Sequence, residues 1–79
     1  MSKLVYVEWI DSAAGRGWQS RESFEKNDAG PVLCMSAGFL VRETKDYIIV
    51  ASSRGHEDES FLGDVAIPKA VITKRRRLK

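Results

Sequence analysis

Residues 32–44 constrain the fold more than any other part of the chain. They form the longest β-like run, and Gly38 stands near its middle. A glycine inside such a run marks a bend or bulge, the usual way a sheet curls on itself.

The rest of the chain supplies short partners for that strand. In residues 3–10, Val5, Val7 and Trp9 fall on one face, and Leu4, Tyr6, Glu8 and Ile10 on the other. The polar stretch Thr44-Lys45-Asp46 predicts a tight hairpin into residues 47–52, whose near-continuous apolar character suits a central strand. Residues 54–60 read as a charged loop and 61–67 as a fourth strand. Pro68-Lys69-Ala70 is a turn, and 71 to about 75 a fifth strand. The expected fold is all-β: a small five-stranded, strongly bent antiparallel barrel with at most one short helical turn. Closing the sheet would remove edges that otherwise invite aggregation.

Between the first two strands the pattern is looser. Residues 11–17 read as a flexible loop with Gly15 and Gly17, and Trp18 is expected to fold back as a lid on the core. Ser20 is placed to cap a single helical turn with Glu22 and Glu25 near its start, an irregular excursion being the alternative. Asp28-Ala29-Gly30-Pro31 reads as a turn.

A chain of 79 residues makes one domain, with room for a core of about 15 to 20 side chains and a net stability of a few kcal/mol. No staple supports that core. Cys34 is the single cysteine, so neither an internal disulfide nor a cysteine-rich metal knot is available. Stability must come from packing, a partner or self-association. An unpaired cysteine suits a reducing compartment. The first residues lack a signal-like apolar stretch, and no apolar run approaches the roughly 20 residues of a membrane span. The expected location is cytoplasmic.

The net charge of +2 conceals an asymmetry. Residues 1–73, read as the barrel domain, carry eight basic and eleven acidic side chains. Residues 74–79, read as a basic C-terminal tail, add Lys74, Arg75, Arg76, Arg77 and Lys79. Such a cluster can neutralise phosphates of a nucleic acid, or simply solubilise a frayed terminus. The body lacks the basic stripe usual in a dedicated nucleic-acid binder. On a continuing fifth strand, Ile72 and Leu78 would share one face, and Arg75 and Arg77 the other.

Catalytic chemistry finds little footing. Cys34 lies in an apolar strand and the only histidine, His56, in a charged loop, so no spacing joins them as nucleophile and base. Cys34 reads as a buried structural thiol. His56-Glu57-Asp58-Glu59 reads as a solvated acidic loop, with a weak cation site as the sharper alternative. Gly15-Arg16-Gly17 lacks the following helix that a phosphate loop requires. A barrel this small is expected to have little room for a pocket of about 300 Å³. The chain is therefore expected not to be an enzyme, and to use no cofactor or metal. Trp9, Trp18, Tyr6, Tyr47, Phe24 and Phe61 are expected to be mostly core. Tyr6 and Trp18 are the candidates for exposure as protein-binding anchors.

The last third, Gly63-Asp64-Val65-Ala66-Ile67-Pro68-Lys69-Ala70-Val71-Ile72, resembles the ending of Src-homology-three-like and Sm-like small barrels. There a glycine-containing strand runs through a proline turn into a final short strand. Ser36-Ala37-Gly38-Phe39-Leu40-Val41 with Tyr47-Ile48-Ile49-Val50 is similar to the long bent strand pair of Sm-like folds. With Val7-Glu8-Trp9-Ile10-Asp11, Gly17-Trp18 and Ile67-Pro68-Lys69, the layout also resembles short uncharacterised bacteriophage proteins, which implies a host bacterial cytoplasm. The adjacent tryptophan pair of proline-motif readers and the Sm-like RNA-binding loops do not occur, so neither activity is implied.

The expected function is a non-catalytic, phage-encoded accessory module acting through protein contacts or self-association. The alternative is a nucleic-acid binder using the basic terminus.

Overall fold

The computed structural model describes residues 3–12, 17–27, 30–56 and 60–79. Five strands form one antiparallel sheet: β1 (Lys3–Asp11), β2 (Val32–Glu43), β3 (Tyr47–Arg54), β4 (Phe61–Pro68) and β5 (Ile72–Arg77). Their order is β4-β3-β2-β1-β5. Four strands therefore follow one another as a meander, and the chain then crosses back to lay β5 beside β1. A helix α1 (Arg21–Asn27) interrupts the β1–β2 connection, and a 3-10 turn (Lys69–Val71) joins β4 to β5.

β2 belongs to two ladders. Residues from Val32 to Leu40 pair with β1, and those from Phe39 to Glu43 with β3, so only Phe39 and Leu40 are paired on both sides. Gly38 sits at the handover. A Cβ there would run into the Ala51 carbonyl oxygen and lie 3.1 Å from Val50 Cγ1. Glycine is thus required by close backbone approach. The bulge itself lies at Val41, where the β2–β3 register shifts between Leu40 and Arg42.

The sheet curls over its core. Arg75 pairs with Val7 and Val7 with Ser36, so Glu43 lies seven residues further along β2, which in a flat sheet would be about 24 Å. The side chains of Glu43 and Arg75 nonetheless meet at 2.8 Å. The Lys69 amide also donates to the Asp46 carbonyl at 2.8 Å, tying the 3-10 turn to the β2–β3 hairpin. The sheet is not closed: β4 and β5 are its outer strands, and no ladder joins them.

The core is small and aliphatic. Val5, Val7, Ile48, Val50, Ala51 and Ile67 are the buried hydrophobic residues among those described. Trp9, Leu40, Val65, Val71 and Ile72 pack around the central cluster. The expected alternation of Val5, Val7 and Trp9 holds, and Trp9 Nε1 donates to Ser36 Oγ at 3.0 Å across the β1–β2 pair. The expectation that the aromatics are mostly core is corrected, because none of them belongs to the buried set. A core of three valines, two isoleucines and an alanine leaves large rings at its margin. Trp18 is not a lid: it is fully exposed.

Helical content exceeds the single turn expected. Ser20 does act as the cap, its Oγ accepting from the Ser23 amide at 3.1 Å. The helix runs on for seven residues, with Glu22 and Lys26 paired at 3.0 Å one turn apart. Beyond it, the 3-10 turn begins after Pro68, whose fixed φ suits its start. The hairpin at residues 44–46 is built as expected, with Thr44 Oγ1 accepting from the amides of Asp46 and Tyr47, both at 3.1 Å.

A division at residue 73 cuts through β5, because Lys74, Arg75, Arg76 and Arg77 pair with Glu8, Val7, Tyr6 and Val5. These residues are strand, and even Leu78 and Lys79 bond through their backbone to Leu4. The whole molecule is long for its size. Its extents are 53 × 23 × 20 Å and its radius of gyration 16.2 Å, against about 12 Å for a compact domain of this length.

Candidate functional site

Three features stand out from the sheet: a carboxylate clamp, a row of cations on β5, and exposed apolar side chains around the β1–β2 connection.

The clamp centres on Glu43, the last residue of β2. Arg75 grips its carboxylate with both guanidinium nitrogens, at 2.8 and 3.0 Å, and Lys69 Nζ approaches it at 2.9 Å. Bidentate geometry of this kind favours arginine over lysine. The hydrogen bonds from Arg75 and then Lys69 hold the Glu43 carboxyl at about 2, well below its usual range, and the Arg75 guanidinium is correspondingly raised. The clamp is a structural tie between β2, the 3-10 turn and β5.

The clamp depends on a bulge. β5 pairs Lys74 with Glu8 but Ile72 with Trp9, leaving Thr73 as the extra residue. Thr73 Oγ1 donates to the Glu8 carbonyl at 3.2 Å. The bulge resets the alternation, so Ile72, Arg75 and Arg77 stand opposite Trp9, Val7 and Val5 on the core side. The expectation that Ile72 lies on the face away from Arg75 and Arg77 is corrected for this reason. Lys74 and Arg76 stand with Glu8 and Tyr6 on the other face. Of the five cations proposed for nucleic acid, Arg75 is thus engaged within the fold, while Lys74, Arg76, Arg77 and Lys79 remain exposed.

Tyr6 is half-buried, and its hydroxyl donates to Glu8 Oε2 at 2.7 Å. That bond raises the phenol's pKa, with desolvation and the charge of Glu8 adding to it and Arg76 opposing. Trp18 is a different kind of residue: a fully exposed indole just after Gly17, which adopts φ +69°. Phe24 of α1 is also exposed, as are Val32, Leu33 and Met35 at the start of β2. Sequence reasoning singled out Trp18 but missed the other four. The available signal was the β2 run itself, which holds no charge between Asp28 and Arg42.

Two open clefts lie outside the curled sheet, a correction to the expectation that a ligand-sized pocket would not fit. One, of about 320 Å³, is lined by Trp9, Ile10, Asp11, Ser12, Pro31, Pro68 and Val71. The other, of about 640 Å³, lies against Gln19, Arg21, Phe24 and Glu25. The first lies between the end of β1, Pro31 and the β4–β5 turn, and the second against α1 and the segment leading into it.

Cys34 pairs across to Trp9 and is half-buried rather than buried, with Sγ 3.7 Å from the Val32 carbonyl oxygen. His56 is exposed in the segment after β3. Among the described residues no group of three or more His, Cys, Asp or Glu side chains could hold a metal ion. Glu57, Asp58 and Glu59, Gly15 and Arg16, and Asp28 and Ala29 lie outside the described residues. No helix of the described residues is long and apolar enough to cross a membrane. Compared with known protein families, with characterised proteins and with solved structures, the chain matches none.

Proposed function

We propose that this chain is a non-catalytic binding module that acts through protein contacts, using a curled, barrel-like sheet as its scaffold. The observation that carries this reading is the exposure of Trp18, Phe24, Val32, Leu33 and Met35 around the β1–β2 connection. Single exposed apolar residues are ordinary, but five in one stretch of chain are not. Tryptophan and phenylalanine are also favoured anchors at interfaces. The placement of Cys34 and His56 in different elements supports the non-catalytic part of the reading.

The test compares the chain with a Trp18→Ser/Phe24→Ser double variant. The parent is expected to associate, with itself or with a protein retained from bacterial lysate, and the variant to lose some of that association while keeping its β-sheet circular dichroism. A parent that stays monomeric at every concentration and retains no protein would overturn the proposal.

A second reading rests on β5, where Lys74, Arg76, Arg77 and Lys79 are exposed at strand spacing. A nucleic acid bound there would lose affinity steeply with salt. Edge strands also carry lysine and arginine simply to prevent pairing with other chains, which accounts for the same residues without a ligand. Binding that is insensitive to salt, or unchanged in Lys74→Ala/Arg76→Ala, would end the nucleic-acid reading.

A further inference from the structure

We infer that the partner of the exposed β2 segment is a second copy of this chain, joined by antiparallel pairing of residues 32–37 about a two-fold axis. The inference rests on the protein-contact reading above and assigns it an occupant.

Strand edges with an unpaired side among the described residues include the outer sides of β4 and β5, residues 32–37 and 41–43 of β2, and residues 52–54 of β3. Residues 41–43 and 52–54 carry charge at Arg42, Glu43 and Arg54. β5 presents a run of cations, and two such edges brought together would repel. β4 contains Gly63 at φ +70° and ends in Pro68, both of which interrupt a regular ladder. Residues 32–37 carry none of these protections: no charge, no proline and no bulge. An unprotected apolar edge is a template for another strand.

An antiparallel strand pair about a two-fold axis is self-complementary, so the same segment on each copy suffices and the assembly closes at two. In β2, Leu33 and Met35 share the face opposite Cys34 and Ser36. Met35 is 65% exposed and Leu33 51%. Pairing would bring these side chains of the two copies alongside one another.

The chain exposes 6454 Å², whereas a compact monomer of its mass exposes about 4,800 Å². The difference exceeds the roughly 800 Å² that each partner contributes to a standard interface. A chain whose buried core, among the described residues, is six small and aliphatic side chains gains most from a partner that is present whenever it is made, and a second copy meets that condition.

The experiment is sedimentation of the full chain from about 1 to 300 µM, with Met35→Lys as the variant and a short bis-maleimide as a probe of Cys34. Met35 lies opposite Glu8 on an exposed face, so a lysine there is compatible with the isolated fold. The expected result is a dimer at high concentration, cross-linked through Cys34 in good yield, and a folded Met35→Lys monomer with affinity weakened at least tenfold. A parent that is monomeric at 300 µM overturns the inference but not the protein-contact reading, which a retained lysate protein would still support. A dimer that persists unchanged in folded Met35→Lys places the contact elsewhere and also overturns it. Where Met35→Lys fails to fold, the Cys34 cross-link in the parent dimer decides: efficient linkage supports β2 pairing, and its absence excludes it.

Discussion

Over residues 32–37, β2 has β1 on one side and nothing described on the other; over residues 41–43 it has β3 on one side and has run past the end of β1. Both halves are therefore paired on one side only, yet they end differently. The second half closes with Arg42 and Glu43, and the Glu43 carboxylate is held by Arg75 and Lys69 across the mouth of the curl. The first half is apolar, and Val32, Leu33 and Met35 remain exposed. The charged end is tied into the fold and the apolar end is left open. Long arginine and lysine side chains can bridge a gap between curled strands while their stems cover apolar surface; short apolar side chains need a surface brought to them.

The largest effect is expected at the core beneath the second half. Ile48 pairs with Glu43 and Ile67 and is fully buried. Ile48→Ala is expected to cost about 3 kcal/mol, read from the urea midpoint. A loss below about 1 kcal/mol would mean that the core does not close around β3 as described.

Gly38→Ala attacks the handover between the halves. The added methyl meets the Ala51 carbonyl, and separating the two backbones is expected to cost about 2 kcal/mol. Unchanged stability would show that β3 does not approach β2 so closely.

Glu43→Gln sharpens the role of the clamp. The pair is partly exposed, so its removal should cost at most about 1 kcal/mol near neutrality. The pH dependence is more telling. The Glu43 carboxyl lies at about 2 in the fold and in the ordinary carboxylate range when unfolded. Its contribution is thus complete above about pH 5 and is lost as the pH falls toward 2. Melting temperatures measured from pH 6 to 2 should fall less steeply in Glu43→Gln than in the parent; parallel curves would show that the clamp does not form.

The smallest effect belongs to the open half. Val32→Thr, measured at the lowest workable concentration, is expected to change stability by no more than about 0.5 kcal/mol. A larger loss under those conditions would mean that Val32 is covered within a single chain.

Much of the sheet was legible because the signals are local. Val5, Val7 and Trp9 alternate, Thr44 begins a polar hairpin, and Gly38 interrupts a long apolar run. Each is visible within a few residues and matches the ladders found. The candidate sites were less legible. Trp18 reads as a lid if the loop folds back, but whether it does depends on chain far from it in sequence. Residues 74–79 read as a tail because five cations in six residues resemble a frayed end. Only pairing with Glu8, Val7, Tyr6 and Val5 makes them a strand.

The sequence by itself determined where the strands lie and which face of β1 turns inward, because a two-residue alternation is a property of the strand alone. The tertiary structure decided which edges are covered. The Thr73 bulge turned Arg75 toward the core side and onto Glu43, and the divergence of β3 beyond Ala51 left the start of β2 paired on its β1 side alone among the described residues. Coverage of an edge depends on how strands distant in the chain meet, and a one-residue shift in register reverses every side chain beyond it.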